Sequence, residues 1–257
     1  MDLHLEDKLF LVGGATSGLG KAITEGLINE GAKVIAIART EPKLLELQKI
    51  SERLEIIAGD LSQEIVINNI VKKIGDRVLT GAVINSGGPP AMPSLETKLT
   101  DWDDAYKTVV RWKIALTQAI LPRMIDVGYG RLLYVESVST KQPVENLVLS
   151  NSMRLAIVGY VKTLSQEIGS TGVTLNILGP GYHATQRMED LFARNSKLKG
   201  VNESEIRKTF AEQTAVKQIG NPEDFASLAL WLLSPYSKYI TGQTISVDGG
   251  LVKGTLG

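Results

Sequence analysis

The stretch KLFLVGGATSGLG (residues 8–20) decides how the rest of the chain is read. Leu9, Phe10, Leu11 and Val12 form a short apolar run, which reads as a strand buried on both faces. Gly13 and Gly14 end it, and Gly18, Leu19 and Gly20 open a segment with helical periodicity over 18–29. Glycines in these places let the chain turn tightly, let backbone approach a diphosphate, and let helix and strand pack closely. The helix N-terminus then offers free N–H groups and a partial positive charge. A glycine triplet alone marks only a turn; the strand–turn–helix context makes it a dinucleotide-binding signal.

The same alternation continues along the chain. Segments 33–38, 54–59, 79–85, 130–137, 172–179 and 243–249 read as six further strands. Segments 41–50, 62–74, 101–127, 146–169 and 222–233 read as helices. Apolar strands bounded by glycine suit a parallel sheet covered on both faces, so the predicted fold is α/β. It is a single-domain, doubly wound parallel sheet of about seven strands over 1–257, a Rossmann fold. The polar segment 182–221 follows a strand end and carries two short helical patches. A crevice outside the carboxyl ends of the strands is where such sheets bind ligands, so this segment is expected to be a substrate lid.

Bulk composition narrows the function classes. The 257 residues carry 28 basic and 28 acidic side chains, which gives no general pull toward nucleic acid or an anionic membrane. The absence of cysteine removes thiol nucleophiles and disulfides, and two well-separated histidines argue against a metal site. The opening MDLHLEDKLFLVGG has acidic residues and a short apolar run, unlike a signal peptide or a membrane span, so the cytoplasm is expected.

Arg39 and Thr40 follow the second strand, where an acidic residue would accept the ribose hydroxyls of NAD. No carboxylate stands there, and a guanidinium suits the 2′-phosphate of NADP. NADP is therefore the expected cofactor, with NAD the alternative.

Together these pieces resemble the short-chain dehydrogenase/reductase family over nearly the whole chain, in the manner of its 3-oxoacyl-carrier-protein reductases and glucose dehydrogenases. The likeness rests on the 14–20 turn, on GDLS (59–62), on NSGG (85–88) and on NILGPGYHAT (176–185). It extends to GNPEDFASLALWLLSP (220–235) and ITGQTISVDGG (240–250). The resemblance implies that Gly14, Thr16, Ser17, Gly18, Leu19 and Gly20 hold the dinucleotide, with Arg39, Asp60 and Leu61 near its adenosine half. It implies further that Asn85, Gly87 and Arg154 line the site, and that Pro180, Gly181 and Thr185 run along the nicotinamide. A homodimer or homotetramer acting on a small molecule is the family's usual form.

The chemistry end departs from the family. Its members usually carry an Asn-Ser-Tyr-Lys set; Ser137 is similar to the serine, but Ser150 stands where tyrosine would, Arg154 where lysine would, and Val109 near the asparagine. Ser150 and Arg154 are four residues apart, one turn above the other on a helix whose next residues, Leu155 and Ala156 among them, are apolar enough to suggest burial. A serine hydroxyl is a far weaker acid than tyrosine, and arginine stays protonated. Ser137, Ser150 and Arg154 are the candidate catalytic residues. Tyr182 and His183 are the best substitutes for the missing proton donor, while strand alternation turns Glu136 away from Ser137. Three readings stay open: an NAD(P)-dependent oxidoreductase on a carbonyl or alcohol, a dinucleotide-binding sensor or scaffold without turnover, and a lyase or isomerase on the same fold.

Overall fold

The computed structural model describes residues 1–255; the last two residues of the expected 1–257 unit lie outside it. Seven strands form one parallel sheet: β1 (Leu9–Gly13), β2 (Lys33–Ala38), β3 (Leu54–Ala58), β4 (Leu79–Ile84), β5 (Gly130–Val135), β6 (Val173–Pro180) and β7 (Thr244–Val247). Their spatial order is β3-β2-β1-β4-β5-β6-β7. The chain moves outward from β1 to β3, then returns to pair β4 with the other side of β1, so the order reverses between β1 and β4. That reversal leaves a crevice at the carboxyl ends of the two central strands. This is the doubly wound Rossmann fold expected from the strand–helix alternation.

Two cores explain the runs of apolar residues in the strands. On one face, α3 (Glu64–Ile74), α5 (Trp112–Val127) and α6 (Val148–Glu167) pack residues such as Ile70, Trp112 and Ile157 onto Leu11, Ile84 and Ile177. On the other, α1 (Gly18–Asn29), α2 (Glu41–Gln48) and α9 (Pro222–Leu233) bring Ile23, Leu44 and Phe225 against Phe10, Val34 and Leu178. Neighbouring strand residues thus face opposite cores, which is why no polar–apolar alternation appears in sequence. α9 starts where Asn221 and Asp224 close a reciprocal capping box just ahead of Pro222, and its Leu230 lies against Gly26 of α1.

The segment expected as one helix over 101–127 is interrupted. α4 (Leu99–Ala105) gives way to a π turn over Tyr106–Arg111 before α5 begins. A π turn inserts one residue into the helical repeat and re-aims the side chains that follow. The two helical patches after β6 are α7 (Gln186–Lys199) and α8 (Glu203–Gln213), the second opened by the Asn202 side chain accepting from Ser204 and Glu205 amides. They share a small core of their own, with the Phe192 and Phe210 rings 5.3 Å apart and edge-on.

Candidate active site at the carboxyl edge of the sheet

The nucleotide end is built from missing atoms. Gly14 has φ +62°, a region that L side chains rarely adopt, and a β-carbon there would also press on Asn85 Nδ2 at 2.8 Å. A β-carbon at Gly20 would overlap the Gly14 carbonyl oxygen. Asn85, just past β4, donates through Nδ2 to the Gly13 carbonyl at 3.1 Å and so ties the two central strands together across the reversal. The first amides of α1 have no carbonyl one turn before them in the helix, which makes its N-terminus, at the glycine turn, suited to an anion. The space beside Gly87 is open. Thr185 reaches over from the β6–α7 connection to lie against Gly18.

The other residues named from sequence sit around this cradle. Leu61 is buried against Gly13, and Asp60 accepts from the Ser62 amide at 2.9 Å. Arg39 is exposed at the end of β2 and forms no ion pair among the described residues. Gly181 packs against Asp248, holding the segment after β6 close to the end of β7. Thr16, Ser17 and Leu19 lie in the turn and at the start of α1, with Ser17 exposed. These shapes and donors fit a dinucleotide diphosphate at the turn.

The chemistry end is built from charge. Ser150 and Arg154 are 7% and 6% exposed, whereas Leu155 is 46% exposed and Ala156 is exposed too. The expected burial is therefore corrected for Leu155 and Ala156, while Ile157 and Val161 are buried as expected. The inward stripe of α6 runs Ser150, Arg154, Ile157 and Val161, following the helical period, and this stripe contains the polar pair.

Burying a guanidinium demands partners, and Arg154 has them. Its Nε donates to Ser150 Oγ at 3.0 Å, and its Nη1 donates to the Glu136 carbonyl at 2.8 Å and to Glu136 Oε2 at 2.9 Å. The second carboxylate oxygen of Glu136 is held by Lys113 Nζ, and both side chains are almost fully buried. Burial, with a smaller push from Arg154, lowers the Lys113 pKa to about 8 against the opposing pull of Glu136. The cluster Lys113–Glu136–Arg154 thus joins α5, the end of β5 and α6.

Alternation does turn Glu136 away from Ser137, yet it turns the carboxylate straight into this network, which the sequence reading missed. No sequence signal joins residues 113, 136 and 154. The one available hint was that Lys113 and Glu136 each interrupt an otherwise apolar buried segment. Val109 lies buried in the π turn, and Lys113, one turn later, carries the polar contact instead.

Ser137 Oγ accepts from the Ser139 amide at 3.0 Å, which leaves its hydrogen to donate. The substitute donors are engaged elsewhere. Tyr182 hydroxyl donates to Gln213 Oε1 at 2.9 Å, and its ring lies edge-on to Phe210. His183 is 4% exposed, packs edge-on to Phe225, and has its pKa lowered mainly by burial. Tyr134 pairs with Thr117 at 2.7 Å deep in the core, and burial pushes its pKa above the tyrosine range.

Comparison with known proteins places the chain. A family model described as enoyl-(acyl carrier protein) reductase matches residues 14–252. The 3-oxoacyl-[acyl-carrier-protein] reductase of Vibrio cholerae is 29% identical over 252 residues, covering 97% of this chain and 99% of that one. Dehydrogenase/reductase SDR family member 4 of Sus scrofa is 27% identical over 262 residues, covering 96% and 88%. The crystal structure of L-sorbose reductase from Gluconobacter frateurii, complexed with NADPH and L-sorbose, is similar with a TM-score of 0.93 at 24% identity. It covers 99% of this chain and 100% of that one, a likeness of fold. A match running from the glycine turn through the last strand shows that the chain belongs to the short-chain dehydrogenase/reductase family.

Proposed function

We propose that the protein is an NAD(P)-dependent oxidoreductase that reduces a carbonyl, or oxidises the matching alcohol, of a small molecule. The observation that carries this reading is the Ser150–Arg154 contact beside the cradle. Arg154 Nε–H points at Ser150 Oγ, so the serine accepts from a cation and keeps its own hydrogen for a substrate oxygen. When bound, a reduced nicotinamide supplies hydride to the carbonyl carbon. Ser137 and Ser150 would donate to the carbonyl oxygen as it gains negative charge, which is stabilisation by preorganised donors. Arg154 holds Ser150 in place and is itself held by Glu136. Arginine does not release its proton, so the proton that completes the alcohol comes from water in this scheme. General acid–base help is typically worth about 10²–10⁴-fold, so a slow reductase is expected compared with members that carry a tyrosine.

NADP is the proposed cofactor, supported by an exposed Arg39 without an ion-pair partner among the described residues where a carboxylate would select NAD. Both Gluconobacter L-sorbose reductase and a bacilysin-pathway reductase, the latter with a TM-score of 0.91, are described with NADPH. A homodimer or homotetramer is proposed from Leu99, Tyr106 and Leu155. They stand exposed on α4, the π turn and α6, elements that pack together. No helix among the described residues is long and apolar enough to cross a membrane; the cytoplasm remains the proposed compartment.

The test is a titration of NADPH and NADH by fluorescence, followed by absorbance at the reduced nicotinamide band with a panel of carbonyl compounds. Arg39→Ala should weaken NADPH about 10–100-fold, the worth of a charge-assisted phosphate contact, and leave NADH nearly unchanged. Equal loss for both would remove the 2′-phosphate role. Binding without any cofactor oxidation across the panel would favour a sensor over an enzyme.

A further inference from the structure

Three donors at the chemistry end have no acceptor, and all three face Gly88. A β-carbon built there would stand 3.0 Å from Arg154 Nη2, 3.7 Å from Arg187 Nη1 and 3.8 Å from Ser150 Oγ. Arg154 uses Nε on Ser150 and Nη1 on Glu136, and its Nη2 meets no acceptor among the described residues although the residue is nearly buried. Ser150 accepts from Arg154 and donates to no described group. Arg187, the second residue of α7, forms no hydrogen bond or ion pair among the described residues.

Charge points the same way. Glu136 balances one of its two cations, Lys113 and Arg154, and Arg187 adds another positive charge to the same side of the cleft. Although Arg187 is exposed on its outer side, desolvation by its neighbours and, second, the like charge of Arg154 lower its pKa. No carboxylate of the chain pairs with Arg187 among the described residues. Forked N–H donors from two arginines match the two oxygens of a carboxylate.

Building on the oxidoreductase reading, we propose that this pocket binds the carboxylate of the substrate, so that the substrate class is a small oxo acid or the corresponding hydroxy acid. The carboxylate lies between Arg187 and Arg154 Nη2, and the carbonyl oxygen beside it takes the Ser150 hydroxyl. In reduction the carbonyl carbon gains a C–H bond, the C=O π pair moves to oxygen and picks up a proton from water, and the carboxylate is unchanged. Reduced nicotinamide is the two-electron donor. The dinucleotide diphosphate is the other anion nearby; it belongs at the glycine turn, and Arg187 is assigned to the substrate.

The test uses the full chain and two matched probes, oxamate and its neutral diamide oxamide, titrated by calorimetry, with NADPH followed separately by fluorescence. Oxamate should bind about tenfold or more tightly than oxamide. Arg187→Met, a change on an exposed helix position, should weaken oxamate about tenfold while leaving NADPH affinity within about twofold, and Arg187→Lys should recover part of the loss. Equal binding of oxamate and oxamide would overturn the proposal, as would an Arg187→Met variant with unchanged oxamate affinity. A loss of NADPH affinity as large as the loss for oxamate would assign Arg187 to the diphosphate instead. Oxamate binding that depends on Arg187 in a chain that ignores NADPH would support the anion pocket and break the dinucleotide reading alone.

Discussion

The two ends of the site are specified in opposite ways. At the turn after β1, the shape of the proposed site depends on atoms that are absent: Gly14 and Gly20 leave room that any side chain would occupy. Below α6, it depends on atoms that are present and charged, with Lys113, Glu136 and Arg154 holding one another out of water. The first end tolerates no addition, and the second tolerates no removal. The reason is energetic. A tight backbone approach is lost by steric overlap, while a buried ion cluster is lost when one member leaves the others uncompensated.

That contrast is open to direct attack. The largest effect is expected from Glu136→Ala, which strands two buried cations and should cost about 3–5 kcal/mol in urea denaturation. A loss below about 1 kcal/mol would mean that the cluster behaves as a solvated surface pair, and the contrast would fail. Gly20→Ala comes next: overlap with the Gly14 carbonyl should cost about 1–3 kcal/mol and abolish dinucleotide association in calorimetry. Retained association would show that the turn can yield.

The third test reads a pH dependence. Lys113 has its pKa lowered to about 8 from the ordinary 10.5, mainly by burial. Between those two values the unfolded chain holds the proton that the folded chain has released, so stability from this site rises with pH across that window. The difference in urea midpoint between the parent chain and Lys113→Met should therefore grow in favour of the parent from pH 8 to pH 10.5. A flat difference would show that Glu136 holds the ammonium charged throughout.

Much of the fold was legible before any coordinates, and particular elements show why. Strands such as Lys33–Ala38 and helices such as Gly18–Asn29 announce themselves by local period and by glycine at their ends. The interruption at Tyr106–Arg111 did not, because a π turn changes hydrogen-bond register without changing composition. The α6 stripe shows a subtler failure. Residue type favoured Leu155 as core, yet the helix is rotated so that Leu155 faces out and the polar pair faces inward. Helix rotation is set by what it packs against, and here Glu136 supplies the partner that makes a buried arginine tenable.

The sequence by itself determined the α/β alternation, the seven strands and the glycine turn, since each is written in neighbouring residues and short-range sterics. It also determined that serine and arginine stand on one helical face. Only the tertiary structure decided what that face sees, because Lys113, Glu136, Arg154 and Arg187 lie on separate elements. Electrostatic partners far apart along the chain meet only when the sheet order and helix rotations have brought them together.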